Sequence, residues 1–385
     1  MSHLLVSLIA FMLMGLVALI TISVKPLDPI ERAVKDFSFT DIYYEILNDT
    51  GDPEESQLVT IVDITHQTNR AEIAQTLQDI EQLDPKVLGV DCTFDVEGDT
   101  FGANDSLVDV ARQYDNIVYA MKCTDWANDR EGWERTIHSY FWENVDIREG
   151  SVNMPRAKYD NLKRRIPTAE IVQGEVQPSF VSQVKAVYLN EEPTEEQKEL
   201  YINFSPMRFQ VLQPDEVKEH PELIYNRIVL YGSMDSNEDS HWTPAGKVAG
   251  VQLLAYGVET MLCEKEVQDV PLVPSCFLSL LIVFLAQMFQ VFYIRRTKHS
   301  TNLFVKHIAA SSYIVGLLTF LLISVFVYVG FIMFKYFNLS FNLGWAISVI
   351  AFLGTSRKLY ESVKDYLQEL SEKHDRLKSI ADKLG

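Results

Sequence analysis

Two aspartates close short β-branched runs in this sequence: Asp63 ends QLVTIVD, and Asp91 follows KVLGV. Two more, Asp235 and Asp239, lie in the loop after a third such run, Arg227–Tyr231, which stops at Gly232. In an open parallel sheet, ligands bind just beyond the carboxyl ends of the strands. Carboxylates gathered at that edge would receive a cation, an amine-bearing ligand, or Ca²⁺, which takes oxygen ligands. Arg164 and Arg165, in the turn before Pro167, either reach the same edge and pair with Asp91 or an anionic ligand, or are ordinary salt-bridged surface arginines. Asp63 and Asp91 have a second reading, because aspartates after strands commonly cap helices or bond turn amides. Paired carboxylates also serve hydrolysis. Nothing in the sequence orients a nucleophile or base beside them, so no catalytic residue is expected. His66, just past Asp63, is either a pH-sensitive group or a solvated loop histidine.

No zinc-type spacing of Cys and His is present, so no zinc site is expected, and no cofactor. Cys92 and Cys123 each end a predicted strand. A disulfide between them requires those strands to be neighbours in an oxidising compartment; otherwise they are two separate thiols.

The elements that must position these residues alternate in type. Gln57–Ile64 predicts a strand, and Asn69–Leu83 a helix with Ile73, Leu77, Ile80 and Leu83 on one face. Asp84-Pro85 stops that helix, and Lys86–Phe94 is the next strand. A helix over about Asp105–Tyr114 and a strand over Asn116–Lys122 continue the βαβ pattern. Such alternation implies a parallel sheet covered on both faces, with Asp63 and Asp91 on adjacent strands. Thr124–Asp146 reads as an insertion or lid. Glu149–Pro167 reads as strand, loop, strand, and Ser179–Tyr188 as a helix. Leu200–Phe204 is predicted as an edge strand and Pro214–His220 as a short helix. The Thr243-Pro244 turn and Gly250 then introduce an amphipathic helix carrying Val251, Leu254, Val258, Met261 and Leu262.

Around this domain lie four stretches apolar enough to cross a membrane: Leu4–Val24, Val273–Tyr293, Ala309–Phe334 and a shorter one, about Phe341–Thr355. The last has a second reading as a re-entrant or interfacial helix. The first lacks the basic leader and the small-x-small site of a cleaved signal peptide and is expected to be an anchor. Arg295, Arg296, Lys298 and Lys306 fill the loop after the second span, and Arg357 and Lys358 open the tail. The positive-inside rule places both in the cytoplasm and the region from Lys25 to Leu272 outside. A helix over Asp28–Leu47, introduced by Asp28, Pro29 and Glu31, joins the first span to that region. The chain has 53 acidic against 34 basic residues, for a net charge of −19. The acids are concentrated in the outer region, which argues against nucleic acid as a partner. The spans contain no Asp, Glu, Lys or Arg, which argues against an ion or proton pathway. In the tail, Tyr360, Val363, Leu367, Leu370, His374, Leu377, Ala381 and Leu384 alternate spacings of three and four. Val363, Leu367, Leu370, Leu377 and Leu384 are therefore the candidate oligomerisation seam of a parallel coiled coil; the other reading is one amphipathic helix lying on the membrane.

The order of these pieces resembles the CHASE2 family of extracytoplasmic sensory domains in bacterial receptors. The resemblance rests on TIVDI (Thr60–Ile64), DPKVLGVDCTF, REGSVNMP…YDNLKRRIP (Arg148–Pro167), YINFSPMRFQVLQPDEV (Tyr201–Val217) and RIVLYGSMDS…TP…GV (Arg227–Val251), with spans on both sides. One departure is plain: where the family places a histidine-alanine pair after Gly-Val, this chain has Leu254-Ala255. The resemblance implies a sensor of an extracytoplasmic ligand or envelope condition in the bacterial inner membrane. Family members usually continue into a kinase or cyclase, and the residues after the last apolar stretch carry no such motif. The expected output is therefore a separate cytoplasmic or membrane protein, reached by a homo-oligomer. A membrane scaffold with a non-sensing outer domain is the alternative.

The expected architecture is α/β: an extracytoplasmic domain (25–272) with a largely parallel sheet covered by helices. One transmembrane helix (1–24) precedes it. Three more (273–355, with a cytoplasmic loop at 294–308) and an amphipathic tail (356–385) follow.

Overall fold

The computed structural model describes every residue except 1–5, 14, 17–38, 51, 68, 97–102, 129–130, 156–161, 236–238, 306–311, 341–355, 357–358 and 373–385. The chain divides into two compact units: Thr40–Gln268, and a second made of Met1–Phe39 with Asp269–Gly385.

The first unit opens with helix α1 (Phe39–Thr50), the later part of the helix expected over Asp28–Leu47; residues 28–38 lie outside the described ones. Strand β1 (Glu54–Asp63) leads to helix α2 (Arg70–Glu81). Asn69 caps α2 by accepting a hydrogen bond from the Ala71 N–H, and the buried stripe is the predicted one, Ile73, Leu77 and Ile80. The chain then forms β2 (Val87–Val90), α3 (Ala103–Gln113) and β3 (Ile117–Ala127). Helix α4 (Phe180–Leu189) is capped by the Ser179 hydroxyl and ends at Asn190, whose φ of 54° turns the chain out of the helix. Strand β11 (Ile228–Gly232) and helix α5 (Gly250–Leu262) complete the core.

The central sheet has the order β10-β1-β11-β2-β3, with β10 being Met207–Leu212, and every neighbouring pair in this run is parallel. This corrects one expectation. β1 and β2 are not adjacent, because β11, the last core strand in sequence, inserts between them: Ile61 pairs with Leu230, and Leu230 with Gly89. Alternation sorts the side chains. Val62, Leu88, Val90, Ile117, Tyr119, Val229 and Tyr231 face a core completed by α2 and α3. Leu230 and Gly89 face the opposite side, where α4 and α5 pack. A Cβ on Gly89 would meet the Phe180 ring at 2.8 Å, and one on Gly150 would meet the Phe180 Cα at 2.5 Å. These two bare positions are what let α4 lie down on the sheet.

The segment expected to be an insertion or lid is a continuation of the sheet. β3 runs on to Ala127 and turns back through β4 (Gly132–Ile137), with Cys123 opposite Thr136. β4 then pairs with β7 (Ala169–Val172), which pairs with β8 (Glu175–Pro178), neither of them foreseen. Glu149, in β5 (Arg148–Ser151), accepts hydrogen bonds from His138 Nδ1 at 2.5 Å and the Ser139 N–H at 2.8 Å, pinning the turn that follows β4. The expected strand at Leu200–Phe204 is β9 (Glu199–Tyr201), which pairs with β6 (Arg165–Pro167) in a separate ribbon, and the edge of the main sheet is β10. Pro214–His220 forms turns rather than a helix, because Glu216 bonds back to the Gln213 N–H and a 3₁₀ turn follows at Pro221–Leu223.

In the second unit, two helices are long and apolar enough to cross a membrane, Val273–Lys298 within α6 (Leu272–Lys298) and Ile314–Phe337 within α7 (Ser312–Phe337). Only 6% of the most apolar part of α7 is buried, so its side chains are not those of a covered core helix. Four spans were expected. Residues 6–13 are helical, and Ser7 donates to Gln287 of α6 at 3.1 Å, but 17–24 and the whole of 341–355 lie outside the described residues. The tail is helical over 359–372 with Val363, Leu367 and Leu370 exposed; Leu377 and Leu384 lie outside the described residues.

Candidate functional site: the carboxyl edge of the central sheet

The site forms where β11 hands over to α5. Gly232 ends β11 with no room for a side chain: a Cβ there would meet Val251 at 2.8 Å and the Asp91 Cβ at 3.1 Å. Asp91, the first residue past β2, is fixed by its own N–H, which donates to the Tyr231 carbonyl at 2.8 Å. The chain between β11 and α5 contains a hairpin that sequence reasoning missed, β12 (Ser240–Thr243) against β13 (Gly246–Ala249). Thr243 and Pro244 make its turn: the Thr243 hydroxyl donates to the Gly246 carbonyl, and Gly246 adopts a φ of +98°. The hairpin returns the chain to the first turn of α5 and sets Asp239 over it. The Gly250 N–H donates to the Asp239 carbonyl at 3.1 Å, and a Cβ on Gly250 would lie 2.2 Å from the Asp239 carboxylate. The Asp239 carboxylate therefore rests against bare helix backbone at the positive end of the α5 dipole.

Asp91 and Asp239 respond oppositely to this setting. Burial pushes the Asp91 carboxyl up to about 7; the Asp239 charge adds to the rise, and the charges of Lys122 and His241 work against it. The Asp239 carboxyl is held below its ordinary range. The His241 imidazole, with Nε2 3.4 Å away, is the main cause, and Lys122 assists against the opposing effect of burial. Near neutral pH the pair thus holds one firm negative charge and one proton that leaves easily. Lys122 and His241 were not foreseen as members of the site. The signal was available for Lys122: alternation along β3 puts it on the Val118 and Ala120 face, and the β2–β3 register puts it just above Asp91.

The other sequence candidates go elsewhere. Asp63 is taken up by its own turn. Its carboxylate accepts hydrogen bonds from the Thr65 N–H and hydroxyl at 2.9 and 2.6 Å and from the Met234 N–H at 3.0 Å, with Gln213 at 3.5 Å. Burial alone would raise its pKa, but these bonds outweigh it and hold the carboxyl below its usual range. With β11 between their strands, Asp63 and Asp91 stand two strand spacings apart, about 10 Å. Asp235 supports the loop through its carbonyl, which accepts from the Asp239 N–H at 3.4 Å. The expectation that Arg164 or Arg165 reaches Asp91 is corrected. Arg164 makes a two-point ion pair with Asp41 of α1, at 2.6 and 3.0 Å. Arg165 pairs with Glu199 at 3.3 Å and lies over the Tyr201 ring on the β6–β9 ribbon. His66 takes part in no ion pair among the described residues. Among those residues, no group of three or more His, Cys, Asp or Glu side chains is placed to hold a metal ion.

The disulfide is not formed: Cys92 and Cys123 are both free. Cys92 packs against the core under α2 and α3, while Cys123 belongs to a separate cluster with Met121 and Val172, its thiol 3.5 Å from the Ser151 hydroxyl. β3 runs two residues past the level of Cys92 before reaching Cys123, so neighbouring strands do not bring the thiols together.

No curated protein and no solved structure matches the chain. The CHASE2 domain model matches residues 10–289, most of the chain, and that stretch holds the whole parallel core, the β11–α5 junction and the larger part of the first long apolar helix. The departure at Leu254-Ala255 falls on the buried side of α5, where two apolar residues fit. By that match the chain belongs to the CHASE2 family, a family of sensory extracytoplasmic domains.

Proposed function

We propose that this chain is a membrane-anchored sensor subunit whose outer α/β domain binds a cationic or amine-bearing ligand at the Asp91–Asp239 edge. The observation that carries this reading is the seating of Asp239 on the bare first turn of α5, close enough to Asp91 for its charge to raise the Asp91 carboxyl. A cation entering there favours ionised Asp91, pulls on Asp239, and so bears on the helix that follows. The two ligand states differ in energy only through these contacts, as any ligand-driven switch requires.

The large domain faces the outside of a bacterial inner membrane, with α6 and α7 among its spans; Arg295, Arg296 and Lys298 in the last turn of α6, with Lys306 after it, support this orientation. The exposed apolar seam of the 359–372 helix supports self-association in the cytoplasm, with the output carried by a separate polypeptide.

The test is a thermal-shift screen of the detergent-solubilised chain against small amines and polyamines, repeated with Asp91→Asn. A saturable rise in Tm that Asp91→Asn removes, and that strengthens as pH rises through about 7, is the expected result. A chain that binds no cation, yet co-purifies with a stoichiometric partner, would favour the scaffold alternative instead.

A further inference from the structure

The last turn of α6 carries a feature that the outer domain does not explain. Phe292, Arg295, Arg296 and His299 fall on one helix face, and with Ser300 and Thr301 they line an open cleft of about 530 Å³. Two guanidinium groups, an imidazole and two hydroxyls supply hydrogen-bond donors, and no carboxylate lines the cleft among the described residues. Cations at a helix C-terminus often serve the free carbonyls there. Here two of those carbonyls, of Arg295 and Thr297, are taken by backbone N–H groups, and no hydrogen bond from Arg295 or Arg296 to the others is formed among the described residues. The Thr297 hydroxyl donates to the Tyr293 and Ile294 carbonyls at 2.9 and 3.2 Å. The His299 N–H donates to the Arg295 carbonyl at 3.3 Å, and the Ser300 N–H to the Thr297 carbonyl at 3.2 Å. Among the described residues neither Arg295 nor Arg296 forms an ion pair, and both are exposed.

From this geometry we infer a binding site for the phosphate of an anionic lipid headgroup. Guanidinium groups match phosphate oxygens in a two-point fashion, and donors without a competing carboxylate select an anion. The depth fits a lipid rather than a dissolved anion. Arg295 and Arg296 directly follow the apolar run that ends at Tyr293-Ile294, and Phe292, 69% exposed, offers its ring to the acyl and glycerol region on the same side. This inference rests on the reading of α6 as a membrane span.

The experiment uses the full chain, delipidated in mild detergent and offered equimolar phosphatidylglycerol and phosphatidylcholine, with bound lipid read by native mass spectrometry. Preferential retention of phosphatidylglycerol is expected. In R295Q/R296Q that preference falls about thirtyfold, about fivefold for each cation removed. R295K/R296K, which keeps the charge, retains part of it. Matching elution profiles and thermal transitions establish that the variants fold. Equal retention of both lipids, or a preference unchanged in R295Q/R296Q, overturns the site. Displacement of the lipid by inorganic phosphate at modest excess overturns the lipid as its occupant. Loss of the protein from carbonate-washed membranes would overturn the span reading and this site with it, whereas a membrane-embedded chain without lipid preference overturns this site alone.

Discussion

Asp91→Asn is expected to stabilise the outer domain, and to do so in a pH-dependent way. The native carboxyl titrates near 7, against an ordinary value of 3.8. Between those values the native state holds a proton that the unfolded chain has released, so the carboxyl's contribution to stability falls as pH rises from about 4 to about 7. Three pKa units correspond to about 4 kcal/mol at roughly 1.4 kcal/mol each. Asp91 keeps an edge in solvent, and screening there reduces the figure to about 2 kcal/mol. The neutral amide in Asp91→Asn carries no such cost. The variant should therefore match the native chain near pH 4 and exceed it increasingly up to about pH 7.5, where the gain levels off. For a domain of this size, about 2 kcal/mol corresponds to roughly 4–8 °C in Tm. The assay is tryptophan fluorescence of the detergent-solubilised chain during heating; Trp126, Trp133, Trp142 and Trp242, four of the five tryptophans, report on this domain. Glu81, raised to about 7 mainly by burial, adds its own pH dependence to both proteins and cancels in the difference. An Asp91→Asn variant that is less stable than the native chain at pH 8, or whose gain does not change with pH, would refute the reasoning.

Three further predictions follow from the packing. Gly150→Ala places a Cβ 2.5 Å from the Phe180 backbone, and should cost about 3 kcal/mol in denaturant unfolding because α4 itself must shift. Arg164→Ala leaves Asp41 without its buried guanidinium and should cost about 3–5 kcal/mol, whereas Arg165→Ala, on the exposed pair with Glu199, should cost under about 1 kcal/mol. Reducing agents should leave the Tm unchanged, and Cys123, its thiol pushed up to about 11 chiefly by burial, should alkylate slowly at pH 8 until the domain is unfolded.

Much of the α/β core was legible because its signals are local. Asn69 and Ser179 cap the helices they precede, and Ile73, Leu77 and Ile80 fall on the buried face the spacing predicts. What was not legible depends on order in space. Nothing in RIVLYG says that it slots between β1 and β2, and that single placement separates Asp63 from Asp91. The hairpin Ser240–Ala249 was hidden because Trp242 and Lys247, both exposed, give it no apolar alternation. Arg164 and Arg165 look interchangeable in sequence, yet in the extended chain entering β6 successive side chains point to opposite sides, so one is buried against Asp41 and the other lies largely in solvent. Asp91 and Asp239 were identifiable as candidates from their strand-end and loop positions. Their partners Lys122 and His241 became apparent only once register and hairpin were known.

Helix α5 is enclosed along nearly its whole length, from Gly250 to Thr260, so it cannot swing sideways without opening the core. It is also smooth at two places. At Gly250 the neighbour is a carboxylate, and at Gly257 it is the methyl groups of Val181 and Ile166, 3.2–3.6 Å from where a Cβ would sit. Side chains at those places would key the helix into its surroundings like teeth. Elsewhere the helix is already keyed in: Glu259 accepts from the Ser56 hydroxyl, the Thr260 hydroxyl accepts from the Asn203 N–H at 3.0 Å, and the Tyr256 hydroxyl donates to the Met207 carbonyl at 3.4 Å. A pull on Asp239 at one end would then reach β1, β10 and the segment after β9 through those side chains, and a methyl group added at Gly257 would crowd Val181 and Ile166 without touching the ligand edge.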